Sequence, residues 1–186
     1  QNGVPVKIYR PSHIIGQAKT GIIPAQNNHL ISLIMGCMQL ESAPNWQLEL
    51  DMLPVDLVSQ FIIDSSMYHQ SLSKIFNLSS LIKIKWQELM KLIDANYSKI
   101  KLIGASQWSN LLTDLSPKHP LYPLASLYLN LDSNDGEQII IQNNNFLNFI
   151  ENEQVKPFPW GLEQLKIHIR YWLSCASMNT SHTEES

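Results

Sequence analysis

The stretch Val4-Pro5-Val6-Lys7-Ile8-Tyr9-Arg10-Pro11-Ser12-His13-Ile14-Ile15-Gly16 constrains the fold more than any other part of the chain. Val4, Val6, Ile8, Ile14 and Ile15 are β-branched, they surround a proline, and Gly3 and Gly16 bound the run. Such a pattern predicts a buried strand from Val4 to Tyr9 that runs into a functional loop. No hydrophobic strand precedes it, so it reads as an inner strand of a sheet whose other members lie upstream of Gln1. The chain is therefore expected to be a fragment, with a bare strand edge open to self-association.

After a polar loop through Lys19, Thr20 and Gly21, apolar residues recur at three and four from Asn28 to Leu40, and Asn27 or Asn28 is placed to cap a helix. Trp46 to Val55 reads as a short half-exposed strand ending at Pro54. Asp56 opens the next helix, where its carboxylate is expected to cap the free N–H groups of the first turn while Val58, Phe61, Ile62 and Ser65 face inward. Lys74 to Leu78 is a strand. Trp86 to Ala95 is amphipathic, with Trp86, Leu89, Met90 and Ile93 on one face. A strand at Ile100 to Ile103 follows, then helices at 105–115, 121–131, 143–151 and 162–174, a turn at Asp132 to Gly136, and a polar tail from Ser177. Alternating strands and helices argue for an α/β arrangement.

The 186 residues are 44% hydrophobic and 16% charged, enough for one domain with a real core. A formal charge of −3 and a pI near 6.1 exclude a generally basic nucleic-acid binder. Cys37 and Cys175 lack metal or redox spacing and read as reduced core thiols in a cytosolic compartment. No signal peptide is visible, and no apolar run reaches the roughly 18 to 20 residues of a membrane span.

Self-contained chemistry is absent. Glycines at 3, 16, 21, 36, 104, 136 and 161 give no Gly-x-Gly-x-x-Gly turn to lay a pyrophosphate on a helix. Six scattered histidines lack partners at zinc spacing, and there is no Gly-x-Ser-x-Gly elbow. Tyr97 and Lys101 match a Tyr-x-x-x-Lys spacing. That pattern needs both side chains one turn apart on a helix, and here it falls across a helix end and the next strand.

Residues 9–21, Tyr-Arg-Pro-Ser-His-Ile-Ile-Gly-Gln-Ala-Lys-Thr-Gly, resemble the Arg-Pro-Gly-x-Ile-x-Gly-x-x-x-Thr-Gly segment of thioester reductase domains. These domains terminate nonribosomal peptide synthetases, polyketide synthases, carboxylic acid reductases and fungal α-aminoadipate reductases. Leu33 to Leu40 followed by Pro44, then Met52 to Ser59, then Phe76-Asn77-Leu78 continue the likeness in order. Trp86, Trp108 and Leu121-Tyr122-Pro123-Leu124 extend it more weakly toward Trp172. Ser12 stands where the family has glycine, which questions the backbone geometry there.

The resemblance implies the C-terminal portion of an extended short-chain dehydrogenase fold. Residues 1–80 would hold the last strands and helices of the Rossmann-like half, and 81–176 a helical substrate-binding subdomain. The Gly-rich loop and the catalytic Thr, Tyr and Lys would lie in a missing N-terminal half, so the chain alone is not catalytic. Pro11, Ser12, His13 and Ile14 would pass the nicotinamide end of NADPH, largely through backbone groups. Lys19 and Thr20 would approach the cofactor phosphates or the carrier arm, or form an ordinary solvated loop. Met35, Cys37 and Met38 line an acyl channel or pack the core; Trp86 and Trp108 are read as core. The implied substrate is an acyl or peptidyl thioester on a carrier protein's phosphopantetheine arm, released as aldehyde or alcohol. A fatty acyl reductase or other extended short-chain dehydrogenase fragment and a noncatalytic carrier-protein docking module remain the alternatives. Lys83, Lys85, Lys91, Lys99 and Lys101 outnumber Glu88 and Asp94 to give a local balance of +3, read either as a docking surface for an acidic carrier protein or as a solvated face.

Overall fold

The computed structural model describes residues 4, 6–23, 28–68, 74–129, 142–152 and 160–181. Strand β1 (Ile8–Pro11) bends at Ser12 into β2 (His13–Ile15). Helix α1 (His29–Gln39) follows, then β3 (Ser42–Pro44), β4 (Glu49–Leu50), β5 (Met52–Pro54), α2 (Val55–Met67), β6 (Ile75–Leu78) and β7 (Ile84–Lys85). The remainder is α3 (Trp86–Asn96), β8 (Lys101–Ile103), α4 (Ala105–Asn110), a 3-10 turn (Tyr122–Leu124), α5 (Ala125–Tyr128), α6 (Asn144–Asn152) and α7 (Leu162–Ser181).

The strands form parallel pairs β1 with β6, β2 with β5 and β3 with β8, and one antiparallel pair, β4 with β7. Parallel pairing demands crossover connections, which α1, α2 and α3 occupy between their strands. This is an α/β fold, as the alternation of elements predicted.

The opening strand departs from expectation in three ways. It is shorter, and it finds a partner inside the chain, matching Ile8 with Ile75 and Pro11 with Leu78. It is also not buried on both faces: Val4 is 73%, Val6 55% and Ile8 42% exposed. Successive residues of a strand point to opposite sides. Tyr9 turns onto Phe61 and Phe76 under α2, while Ile8 and Ile75 stay exposed on the other side.

Trp46 to Val55 divides at Asp51 into β4 and β5, which pair with different strands, β7 and β2. The Asp51 carbonyl accepts from His13 N at 3.1 Å, and its carboxylate takes Ser79 Oγ at 2.6 Å and Ser80 N at 2.7 Å. Helix α4 stops at Asn110, short of the predicted 115, and gives way to turns. The predicted 121–131 helix is a 3-10 turn plus the four-residue α5. Residues 81–176 are not purely helical, since β7 and β8 lie among them. Helix α7 runs past the predicted end at Ser174, through the stretch expected to be a tail, to Ser181. The expected turn at 132–136 lies outside the described residues.

Two apolar clusters hold these elements together. The larger gathers α1, α3, α7 and three fully buried tryptophans, Trp86, Trp108 and Trp172. The Trp86 and Trp108 indole N–H groups donate to the carbonyls of Pro44 and Ser42, joining α3 and α4 to β3. The smaller packs Phe61, Phe76, Phe146 and Phe149 between α2, β6 and α6. Gly36 allows α1 to approach Leu121, whose Cγ would lie 2.2 Å from an added Cβ.

Candidate active site

In an open α/β sheet, ligands bind outside the carboxyl ends of the strands. The segment Pro11 to Gly21 leaves β1 and β2 at such ends. At the bend, Ser12 N donates to Leu78 O at 2.9 Å and His13 N to Asp51 O. These two N–H groups are therefore committed within the chain. The segment also offers the exposed Pro11, His13 and Ile14 and the Ser12 hydroxyl, whose oxygen is buried without a partner among the described residues. Among the described non-glycine residues only Glu41 has a positive φ, so serine fits at position 12 without backbone strain.

The loop after β2 is a built turn. Gly21 N donates to Gln17 O at 2.8 Å, Gln17 N to Ile22 O at 3.1 Å, and Thr20 Oγ1 to Gln17 Oε1 at 2.7 Å. Thr20 is thus engaged inside the turn, while Lys19 is exposed and has no ion pair among the described residues. Two helices clamp the turn. Asp56 at the start of α2 accepts from Ala18 N at 3.0 Å; its side chain makes no helix-cap bond, contrary to the sequence reading. His168 of α7, fully buried, places Nε2 3.1 Å from Gly16 O. Gly21 has φ +70°, and an added Cβ would meet His168 Cα at 2.8 Å. Trp160 packs edge-on against His168, with ring centres 5.0 Å apart.

A second group of side chains lies where α1 starts. Asn28 caps the helix, accepting from Ile31 N, and its amide donates to Ile14 O at 3.1 Å. The next residue, His29, hydrogen-bonds through Nε2 to the Tyr128 hydroxyl. Tyr128 packs against Trp46 and Trp108, with ring centres 5.8 and 5.7 Å away. Burial and, secondarily, the nearby His13 hold His29 below the usual imidazole range. Burial, with Cys37 close by, pushes the Tyr128 phenol up to about 12. Sequence reasoning missed this pair, since 99 residues separate its members and no spacing rule links them.

Met35 and Met38 line a cavity of about 170 Å³ together with Gln39, Ser98, Trp172 and Leu173. Cys37 is not on its wall; it is fully buried, and burial pushes its thiol up. The side chain of Cys175 lies outside the described residues. Lys83, Lys85, Lys91, Lys99 and Lys101 are all exposed, but Lys83 lies 3.6 Å from Asp51 and Lys85 stands opposite Glu49 in the β4–β7 pair. Tyr97 caps the end of α3 and Lys101 begins β8, so their spacing is not a helical turn. Among the described residues no cluster of metal ligands occurs, and no helix is long and apolar enough to cross a membrane.

A family model described as Male sterility protein, an NAD-binding family, matches residues 1–62. A linear gramicidin synthase of Brevibacillus parabrevis is 26% identical over 149 residues, 77% of this chain and 3% of that protein. The L-2-aminoadipate reductase large subunit of Eremothecium gossypii is 27% identical over 135 residues, 71% of this chain and 10% of that protein. The terminal R domain from the myxalamid PKS-NRPS biosynthetic pathway superposes with a TM-score of 0.82 at 20% identity, covering 94% of this chain and 45% of that one. A thiolation-reductase di-domain from an archaeal non-ribosomal peptide synthetase gives 0.75 at 15% identity, covering 94% and 37%. This chain spans less than half the length of each of these proteins.

Proposed function

We propose that this chain belongs with the thioester reductase domains of the extended short-chain dehydrogenase type and forms the substrate-side part of one. The complete domain takes an acyl or peptidyl thioester from a carrier protein's phosphopantetheine arm and releases it as an aldehyde, or as an alcohol after a second reduction. NADPH supplies the hydride when bound.

The observation that carries this reading is the Arg10 to Gly21 segment. It resembles the corresponding segment of these domains apart from Ser12, it bends at a strand end, and α2 and α7 hold its shape from two sides. The residues present suit only one end of a dinucleotide. The unpartnered Ser12 hydroxyl, with Pro11, His13 and Ile14, fits a polar nicotinamide ring. Lys19 is left to meet a phosphate of the cofactor or of the carrier arm, whereas Thr20 shapes the turn. No glycine-rich loop is present to hold the pyrophosphate, so those contacts come from an upstream Rossmann half. Met35 and Met38 offer an adaptable wall to an acyl chain. In this reading the chain binds and orients, while the catalytic Thr, Tyr and Lys belong to the other half of the domain.

The test is NADPH consumption by the complete domain with a carrier-bound acyl thioester, the aldehyde being trapped as it forms. Failure to consume NADPH with any carrier-bound thioester refutes the reading. The 186-residue chain alone is expected to bind NADPH no tighter than about millimolar, and a micromolar calorimetric signal would contradict the division of labour.

A further inference from the structure

We propose that His29 is a substrate-binding residue that presents a neutral Nδ1–H donor to the carbonyl oxygen of an acyl-pantetheine thioester, and that Tyr128 is the positioning residue that fixes its tautomer. The inference rests on the reductase reading above and adds to it two residues of this chain.

The argument begins with the phenol. Tyr128 is 8% exposed, walled by the Trp46 and Trp108 rings, and among the described residues its hydroxyl has one hydrogen-bond partner, His29 Nε2. If Nε2 carried the proton and donated, the phenolic O–H would be left in an aromatic wall without an acceptor. A buried donor with no partner is costly, whereas donation from Tyr128 to a bare Nε2 satisfies both groups. The imidazole proton then belongs on Nδ1.

The remaining geometry says where that N–H is offered. His29 is exposed and opens α1, and the side-chain amide of Asn28, the residue before it, donates to Ile14 O at 3.1 Å. The donor therefore lies beside the β2 segment that leads into the clamped turn, bordered by aromatic rings. The direction of the His29 shift agrees, since burial and His13 both disfavour a charged ring. An uncharged donor beside an apolar wall suits an uncharged carbonyl on an acyl chain better than a phosphate or a carboxylate.

The first test needs no substrate. In ¹⁵N NMR of the histidine-labelled chain at neutral pH, His29 is expected to show a protonated Nδ1 and a bare Nε2. Tyr128→Phe, which removes the hydroxyl and little volume, should shift the ring toward the Nε2–H tautomer. A wild-type ring protonated at Nε2, or a Tyr128→Phe spectrum identical to wild type, overturns the proposal. The second test uses the complete reductase domain with butyryl-pantetheine. His29→Phe and Tyr128→Phe are each expected to raise KM about fivefold with kcat held within about twofold, while His29→Gln, which keeps an N–H, stays close to wild type. An unchanged KM in an active enzyme overturns this inference and leaves the reductase reading intact. A complete wild-type domain that never consumes NADPH with a thioester overturns that reading, and this inference with it.

Discussion

Replacing Asp56 by alanine separates a loop clamp from a helix cap. Its carboxylate accepts from Ala18 N at 3.0 Å, across 38 residues of sequence. A hydrogen bond to a charged group contributes about 1.5–3 kcal/mol, and because Asp56 is only half-buried a value of about 2 kcal/mol is appropriate. The same charge sits in the first turn of α2, where interaction with the helix dipole adds about 0.5 kcal/mol. If the clamp is the larger effect, Asp56→Ala should speed native-state hydrogen exchange at the Ala18 amide by about 30-fold, the factor that corresponds to about 2 kcal/mol. Asp56→Asn keeps an acceptor without the charge and should speed it about fivefold, corresponding to about 1 kcal/mol. Exchange is read residue by residue by NMR. Should Ala18 be unaffected in Asp56→Ala while the first-turn amides of α2 accelerate, the residue is a helix cap and the clamp argument is wrong.

Gly36→Ala drives a Cβ to within 2.2 Å of Leu121 Cγ in a site where Leu121 is fully buried, and should cost about 1–3 kcal/mol in urea unfolding. An unchanged midpoint would mean that α1 does not pack against that leucine. His29 and His119 are both held below the usual imidazole value, so the unfolded chain takes up protons more readily than the folded one. Their contribution is complete above about pH 6.5 and is lost as pH falls through their lowered values. Urea midpoints should accordingly drop between about pH 7 and about pH 5, with a smaller drop in a His29→Asn, His119→Asn double variant. A smaller wild-type drop than that of the double variant would contradict the sign. If the lysines dock a carrier protein, Lys91→Glu should do most of the damage, since Lys83 already faces Asp51 and Lys85 faces Glu49. Its signature is a salt-sensitive loss of kcat/KM for the carrier-bound substrate alone, and equal losses with a free thioester would refute docking.

Local patterns survived the passage from sequence to structure. Trp86, Leu89, Met90 and Ile93 lie one turn apart on α3 and are all buried, because one apolar stripe is enough to orient a helix. The Asn28 cap and the residues of α1 were legible for the same reason. What failed was inference about partners. The aspartate of Pro-Val-Asp reads as a cap because caps are local, yet its carboxylate is taken by Ala18 N. The β-branched residues at 4, 6 and 8 promise burial, but burial depends on what covers each side of a strand, and only the Tyr9 side is covered by α2. Asp51, which pairs with Lys83, and Glu49, which stands opposite Lys85 in the β4–β7 register, both lie outside 83–101, so a charge count over that window does not see them.

The contact between His168 and Gly16 O joins residues 152 positions apart. At a synthesis rate of about 5–20 residues per second, the ribosome needs roughly 8 to 30 s to travel from one to the other. Throughout that interval the turn after β2 has been made, but its buried imidazole partner has not. A nascent chain halted before α7 can still pair β1 with β6 and β3 with β8, while Gly16 to Gly21 lacks the wall that shapes it. The segment thus takes its final form long after it is translated, and a ligand that reads its shape can discriminate finished molecules from unfinished ones.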